Sequence, residues 1–335
     1  MATSTDVLGK AADWLSSGKQ VALATVIGTW GSSPRPVGSQ LAVDDQGSFV
    51  GSVSGGCIEG AVIGEALETI SDGRVRVLDF GVTNEQAWEV GLSCGGDIKI
   101  FVEKATDKKA IDRLTKERPI ATLTDIENGN KNFVTNGNVD GHLDLTQEIL
   151  TDIREAVRDD RSKIYELGGR SHFLQVLNKP LRLLVVGAVH ISQALVQVAQ
   201  VSDFAVTVID PRGSFATDTR FPGVTVLDQW PDDAIKELAP DARTAVVTLT
   251  HDPKLDDPAL EIALKSEAFY IGSLGSKRTH AARLERLAKI GFNEEDCARI
   301  NGPIGLDLGA SSPAEIAISI LAQIIAAKHD KLNTS

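Results

Sequence analysis

LRLLVVGAVHISQALVQVAQ, residues 181–200, decides the fold of the second half of the chain. Leu181–Val186 is a short apolar run rich in β-branched residues, and Gly187 ends it. A helix is predicted to follow at about 190–200, so strand, glycine turn and helix stand in the order that opens a βαβ unit. The pattern repeats downstream. Strands are predicted at Ala205–Ile209, Val224–Leu227, Thr244–Leu249 and Phe269–Leu274, with helices at about 231–238, 256–265 and 276–289. Short apolar strands alternating with helices imply right-handed crossovers and a parallel sheet covered on both faces. Ser312-Pro313-Ala314-Glu315 forms a capping box with proline in the first turn, and Ile316, Ile320 and Ile324 follow on one stripe. The second half is therefore expected to be a Rossmann-like, doubly wound parallel-sheet domain.

Upstream of Pro180 the signals change. Val7, Leu8, Ala11, Ala12 and Leu15 lie at helical spacing over residues 6–17. Gln20–Gly28 reads as a strand, and Gln40–Val43 and Ser48–Val53 flank the turn Asp44-Asp45-Gln46-Gly47. A helix is expected from about Cys57 to Ile70, then strands at Val75–Phe80 and Ile98–Glu103. Residues 105–179 carry the hairpin turns Asn128-Gly129-Asn130 and Gly168-Gly169 and read as antiparallel strands that complete the first domain. The fold class is α/β: a mixed α+β domain over residues 1–179, then the Rossmann-like domain over 180–335.

A length of 335 residues suits two domains, and 42% hydrophobic with 24% charged residues is ordinary for packed cores. The formal net charge of −12 repels a phosphate backbone, which argues against nucleic acid as a partner. Apolar runs such as Leu181–Val189 fall far short of the ~20 residues needed to span a bilayer. The N-terminal segment shows no basic region leading into an apolar one, so no signal peptide and no membrane partner are expected. Three cysteines, Cys57, Cys94 and Cys297, make no disulfide framework and fit a reducing, cytoplasmic setting.

Three groups of residues carry chemistry. After Gly187 a dinucleotide fingerprint would need two further glycines, but Val189 and Ser192 stand in their places. Asp210 ends the second strand 23 residues after Gly187, where a ribose-hydroxyl acceptor belongs. His190 and Arg212 lie beside these positions, Arg212 as a candidate for a 2′-phosphate. A nucleotide site and a vestigial one both remain open here. The second group is His251 after the fourth strand, with Gly272, Ser273, Gly275, Lys277 and Arg278 after the fifth, a glycine-serine turn with cations that suits an anion. The third is Ser54-Gly55-Gly56-Cys57 with Glu59, and Cys94-Gly95-Gly96, which set two cysteines in glycine turns. A turn entering a helix offers N–H groups to an anion or a thiolate. The alternative is that both cysteines are small residues packed in tight turns. The spacing fits no zinc motif, and Cys297, among acids, reads as structural.

Taken together these segments resemble the xanthine dehydrogenase accessory factor (XdhC/CoxI) family. The resemblance runs through Gly31-Ser32-Ser33-Pro34-Arg35-Pro36-Val37-Gly38, Gly51–Gly60 and Cys94-Gly95-Gly96. It continues through Val208–Arg212, Phe215-Ala216-Thr217, Arg220-Phe221-Pro222, Leu249–Asp252 and Gly302–Asp307. It implies an accessory factor rather than a turnover enzyme: a chaperone that transiently binds the molybdenum cofactor (molybdopterin). Such a chaperone supports sulfuration of the cofactor with a cysteine desulfurase and passes it to a client. The client would be a molybdenum hydroxylase of the xanthine or carbon monoxide dehydrogenase type. Under that reading Cys57, Cys94 and Glu59 are the candidates for catalytic roles, and Arg35, Ser54, Gly55, Gly56 and Gly95 are cofactor contacts. It also implies a homo-oligomer, expected as a dimer. The competing reading is an NAD(P)-dependent oxidoreductase built on Gly187, Asp210 and Arg212.

Overall fold

The computed structural model describes residues 4–31, 35–82, 96–135, 138–215 and 217–332. The chain divides into two compact units, Met1–Lys179 and Pro180–Ser335.

In the first unit, β1 (Val21–Gly31) is the centre of a five-stranded antiparallel sheet. Its neighbours are β2 (Gln40–Asp44) and β3 (Phe49–Gly51) on one side, and β5 (Gly96–Ala105) and β4 (Arg76–Val82) on the other. The alternation along β1 explains why both faces are covered. Ala22, Ala24 and Val26 meet Val62, Ala66 and Ile70 of α2 (Glu59–Asp72). Val21 and Leu23 face Val7, Leu8 and Ala11 of α1 (Ser4–Ser16) and Ile111 and Leu114 of α3 (Lys108–Lys116). A register shift between Val26 and Gly28 bends β1 against β5.

A second antiparallel sheet has the order β8 (Asn138–Asp140), β7 (Lys131–Thr135), β6 (Ile120–Asp125), β10 (Arg170–Leu177), β9 (Lys163–Leu167). It packs on Leu150, Ile153 and Ala156 of α4 (Gln147–Arg158). Residues 105–179 are thus not strands alone. The two helices α3 and α4 start at the capping side chains of Asp107 and Thr146. Each buries a narrow apolar stripe, which the hairpin signals around it obscured.

The second unit is a six-stranded, all-parallel sheet. Its strands are β11 (Arg182–Val186), β12 (Ala205–Ile209), β13 (Thr225–Leu227), β14 (Thr244–Thr248), β15 (Tyr270–Ser273) and β16 (Ile300–Asn301). In space they run β13-β12-β11-β14-β15-β16, the doubly wound order that reverses beside the first strand. Leu183 and Val185 face α5 (His190–Val201) and α10 (Pro313–Lys328). Leu184 and Val186 face α6 (Pro231–Leu238), α7 (Pro253–Leu264) and α8 (Lys277–Lys289). The short α9 (Glu294–Ala298) places Cys297 in the same core. Burial pushes the Cys297 thiol up, with Asp296 adding to the effect. The capping box at Ser312 and Glu315 is formed as the sequence predicts.

Candidate functional site

The turn between β3 and α2 is organised by one carboxylate. Glu59, buried in the first turn of α2, reaches back over the glycine turn. Its Oε1 accepts from Ser52 Oγ at 2.6 Å and from the N–H groups of Val53, Ser54 and Gly55 at 3.2, 2.9 and 3.1 Å. Its Oε2 accepts from Gly56 N at 2.9 Å and from the Ser54 hydroxyl. Ser54 Oγ in turn accepts from Cys57 N and Ile58 N, both at 3.1 Å, and so supplies the cap that Ile58 lacks. Converging N–H groups need positive φ at Gly55 and Gly56, +81° and +121°.

Two sequence readings change here. The N–H groups of the turn are not open to a ligand anion or a thiolate, because Glu59 and Ser54 occupy them. Nor does Glu59, a candidate for a catalytic role, fit one that moves a proton. Burial raises its carboxyl, but the Ser52 and Ser54 hydroxyls and the Ser54 N–H outweigh that and hold it at about 2, so it stays ionised near neutral pH. Cys57 is exposed and precedes the Ile58 cap rather than opening the helix. Cys94 and Gly95 lie outside the described residues, as do residues 32–34 and Ala216.

Beside the turn is a cavity of about 430 Å³ lined by Arg35, Phe49, Gly51, Ser52, Gly55, Gly56 and Glu59. Arg35 Nε donates to Ser52 O at 3.3 Å, which fixes a guanidinium on the wall. Phe49 escaped the sequence reading, and Ser52 stood in the Gly51–Gly60 stretch without being named as a contact. An aromatic residue beginning an edge strand carries no signal until its exposure, here 53%, is known. A second cavity of about 500 Å³ lies over the far ends of β1, β4 and β5 and is lined by Trp30, Asp79, Phe80, Asp97 and Lys99 among others. Lys99 is 3.5 Å from Asp79 there.

In the second unit, Asp210 is fully buried and saturated. Oδ2 accepts from Ala188 N at 2.7 Å and Arg212 Nη2 at 2.6 Å, and Oδ1 from Arg212 N and Nε at 3.0 and 2.8 Å. Burial raises the carboxyl, but Arg212 and the Ala188 N–H outweigh it and hold it low. Asp210 is therefore a strut between the β11 and β12 turns rather than a ribose acceptor. The charge of Arg212 is committed to it, and the guanidinium lies 4.6 Å from the Phe215 ring. Gly187 has φ +108°, and a Cβ there would sit 2.6 Å from Thr250 Cγ2. Ser192 Oγ closes the turn onto Gly187 O. Arg220, to which the sequence assigned no role, donates to Ala188 O at 2.9 Å.

The remaining candidates separate. His190, His251, Lys277 and Arg278 are exposed, His251 at φ +62°. Gly272 and Ser273 are strand residues, not loop residues. Gly272 leaves room for Ile304 and Tyr270, and Ser273 Oγ shares a hydrogen bond with Thr248 Oγ1. Gly275, at φ +149°, packs on Thr279. Beneath that turn lie two buried charged residues the sequence did not flag. Asp256 Oδ1 accepts from Thr250 Oγ1 at 2.7 Å, and burial pushes the carboxyl up. Arg283 Nη2 donates to Leu274 O at 2.9 Å.

Comparison with known proteins gives these two units their family. Residues 14–81 match the model described as the XdhC and CoxI family, and residues 183–324 match the XdhC Rossmann domain. Together the matches span more than half of the chain, which belongs to the XdhC and CoxI family. Among curated relatives, the molybdenum cofactor insertion chaperone PaoD of Escherichia coli strain K12 is 28% identical over 322 residues, 95% of this chain and 86% of that protein. A Bacillus subtilis strain 168 protein described as a probable subunit of xanthine dehydrogenase is 27% identical, covering 93% of this chain and 94% of that protein. A crystal structure described as a xanthine dehydrogenase from Bacillus halodurans shares the fold, with a TM-score of 0.77, 24% identity, and coverage of 98% of this chain and 97% of that one.

Proposed function

We propose that this chain is a chaperone for the molybdenum cofactor. In this reading it binds the cofactor transiently, supports its sulfuration with a cysteine desulfurase, and passes it to a molybdenum hydroxylase of the xanthine or carbon monoxide dehydrogenase type. The observation that carries the reading is the cavity at the glycine turn, with Arg35 on its wall and exposed Cys57 next in the chain to Gly56. The cargo's chemistry fits these residues. A volume of about 430 Å³ lies within the range of small-molecule sites. A guanidinium matches the cargo's phosphate, and a thiol is a soft donor suited to sulfur or molybdenum chemistry. The relatives' names support the same maturation role.

In this reading Glu59 is an organiser: its charge holds Ser52, Ser54, Gly55 and Gly56 in the shape that forms the cavity wall. Self-association as a dimer and a cytoplasmic location belong to the proposal. No helix among the described residues is long and apolar enough to cross a membrane. The oxidoreductase reading is less favoured, because Asp210 has its acceptor sites taken by Ala188 and Arg212.

The test is Cys57→Ala, measured as molybdopterin retained and client-enzyme activity restored. Both are expected to fall while the thermal melt stays near wild type, since Cys57 is exposed. Cys297→Ala, in the core of the other unit, is expected to leave both functions unchanged. Wild-type performance by Cys57→Ala in both assays would make the thiol dispensable and remove it from the site.

A further inference from the structure

Phe49 is an unusual residue to leave in water. It is 53% exposed on the edge strand β3, where it pairs with Val43, and it lines the cavity at the glycine turn. Gly55 and Gly56, also on that wall, carry no side chains, and their N–H groups are turned onto Glu59. Hydrogen-bond donors from the turn are thus spent, and two recognition elements stand out on the wall: an aromatic face and the Arg35 guanidinium. That pairing selects a planar conjugated ring carrying an anionic group, with stacking for the ring and charge for the anion.

We infer that Phe49 is the stacking platform for the pterin ring of the cofactor, with Arg35 holding the anionic end. This rests on the chaperone reading above and adds the residue that selects the ring. The second cavity offers a contrast that makes the inference specific. Trp30 is 75% exposed there, a larger aromatic than Phe49, but Asp79 and Asp97 stand on the same walls. Lys99 also lines that cavity and pairs with Asp79 at 3.5 Å, so Asp97 leaves its wall net negative. At the glycine turn Arg35 balances the one carboxylate, Glu59, whose oxygens are taken by the turn. Charge therefore favours an anionic ligand at Phe49 and Arg35 over Trp30.

The probe is molybdenum cofactor freshly released, without oxygen, from a purified molybdenum hydroxylase. Retention after ultrafiltration is read as the fluorescent oxidised pterin across a range of protein concentrations. Phe49→Ala is expected to weaken retention about 10- to 100-fold, the scale of one lost aromatic stack. Phe49→Trp and Phe49→Tyr are expected to retain binding within about threefold, and Trp30→Ala to match wild type, by the same stacking argument. Thermal melts of all variants check the fold, which an exposed edge-strand side chain does little to support. Equal retention by Phe49→Ala and wild type would overturn the platform while leaving the chaperone reading standing, as would loss on Trp30→Ala alone. No retention by the wild-type protein would overturn both.

Discussion

Glu59→Gln isolates the carboxylate that shapes the glycine turn. The side chain is 7% exposed and accepts from four backbone N–H groups and two hydroxyls. An amide of the same size keeps one acceptor oxygen and turns its NH₂ onto donors. The cost follows from two routes. The fall of the carboxyl from 4.5 to about 2 corresponds to about 3 kcal/mol, at about 1.4 kcal/mol per pH unit. Separately, the Val53 and Ser54 N–H groups are buried, and leaving two such donors unmet costs about 2–6 kcal/mol. The expected loss is therefore about 3 kcal/mol, or a fall of about 6–12 °C in Tm for a unit of this size. The sign with pH is fixed. Since the folded value lies below the ordinary one, the stabilisation is complete above about pH 5 and is lost as pH falls through 4.5 towards 2. About 2 kcal/mol should be gone by about pH 3. The assay is urea unfolding of wild type and Glu59→Gln between about pH 7 and pH 3, followed by the fluorescence of Trp14, which is buried in the first unit. Midpoints that coincide at neutral pH, or a difference that stays constant across that range, would refute the argument.

Three further outcomes are expected. Gly187→Ala combines a φ of +108° with a Cβ 2.6 Å from Thr250 Cγ2, so it should destabilise the second unit by about 2–4 kcal/mol, read from its denaturant midpoint. Because Asp210 is saturated by Ala188 and Arg212, NADH titrated against tryptophan fluorescence should show no saturable binding in the low micromolar range. Saturation there would move the assignment to an oxidoreductase. Light scattering over a wide concentration range should give a mass above one chain, and a constant single-chain mass would count against self-association.

The parallel sheet was legible because its evidence is local and repeated: Leu183–Val186 is apolar on both faces, Val206–Ile209 is β-branched throughout, and each run ends in a turn. The Asp44–Gly47 hairpin and the Ser312 capping box are legible for the same reason. The first unit resisted because α3 and α4 bury narrow stripes between conspicuous hairpin turns. The site resisted for a different reason. Whether Glu59 faces a ligand or its own backbone depends on φ at Gly55 and Gly56, which sequence spacing does not encode. Arg212 two residues after Asp210 was a readable hint, since a strand-end acid with an adjacent cation can satisfy itself. Asp256 and Arg283 are 27 positions apart and become neighbours in charge only through the packing of α7 and α8.

Glu59 and Asp210 make the same structural choice in two unrelated turns. Each is an acid, buried and ionised, whose oxygens take the N–H groups that a glycine turn would otherwise offer to a ligand's phosphate. An anion approaching either turn finds the donors already taken by a carboxylate, where a bare turn would present them converging. Recognition of an anionic cargo must then come from cationic side chains around the turn, not from the turn's own backbone. In the second unit Arg212 cannot serve, because its guanidinium is bonded to Asp210 itself. In the first unit Arg35 donates to the Ser52 carbonyl and lines the cavity of the proposed site. The proposed cargo site therefore rests on a guanidinium at a cavity wall and not on the backbone donors of the glycine turn.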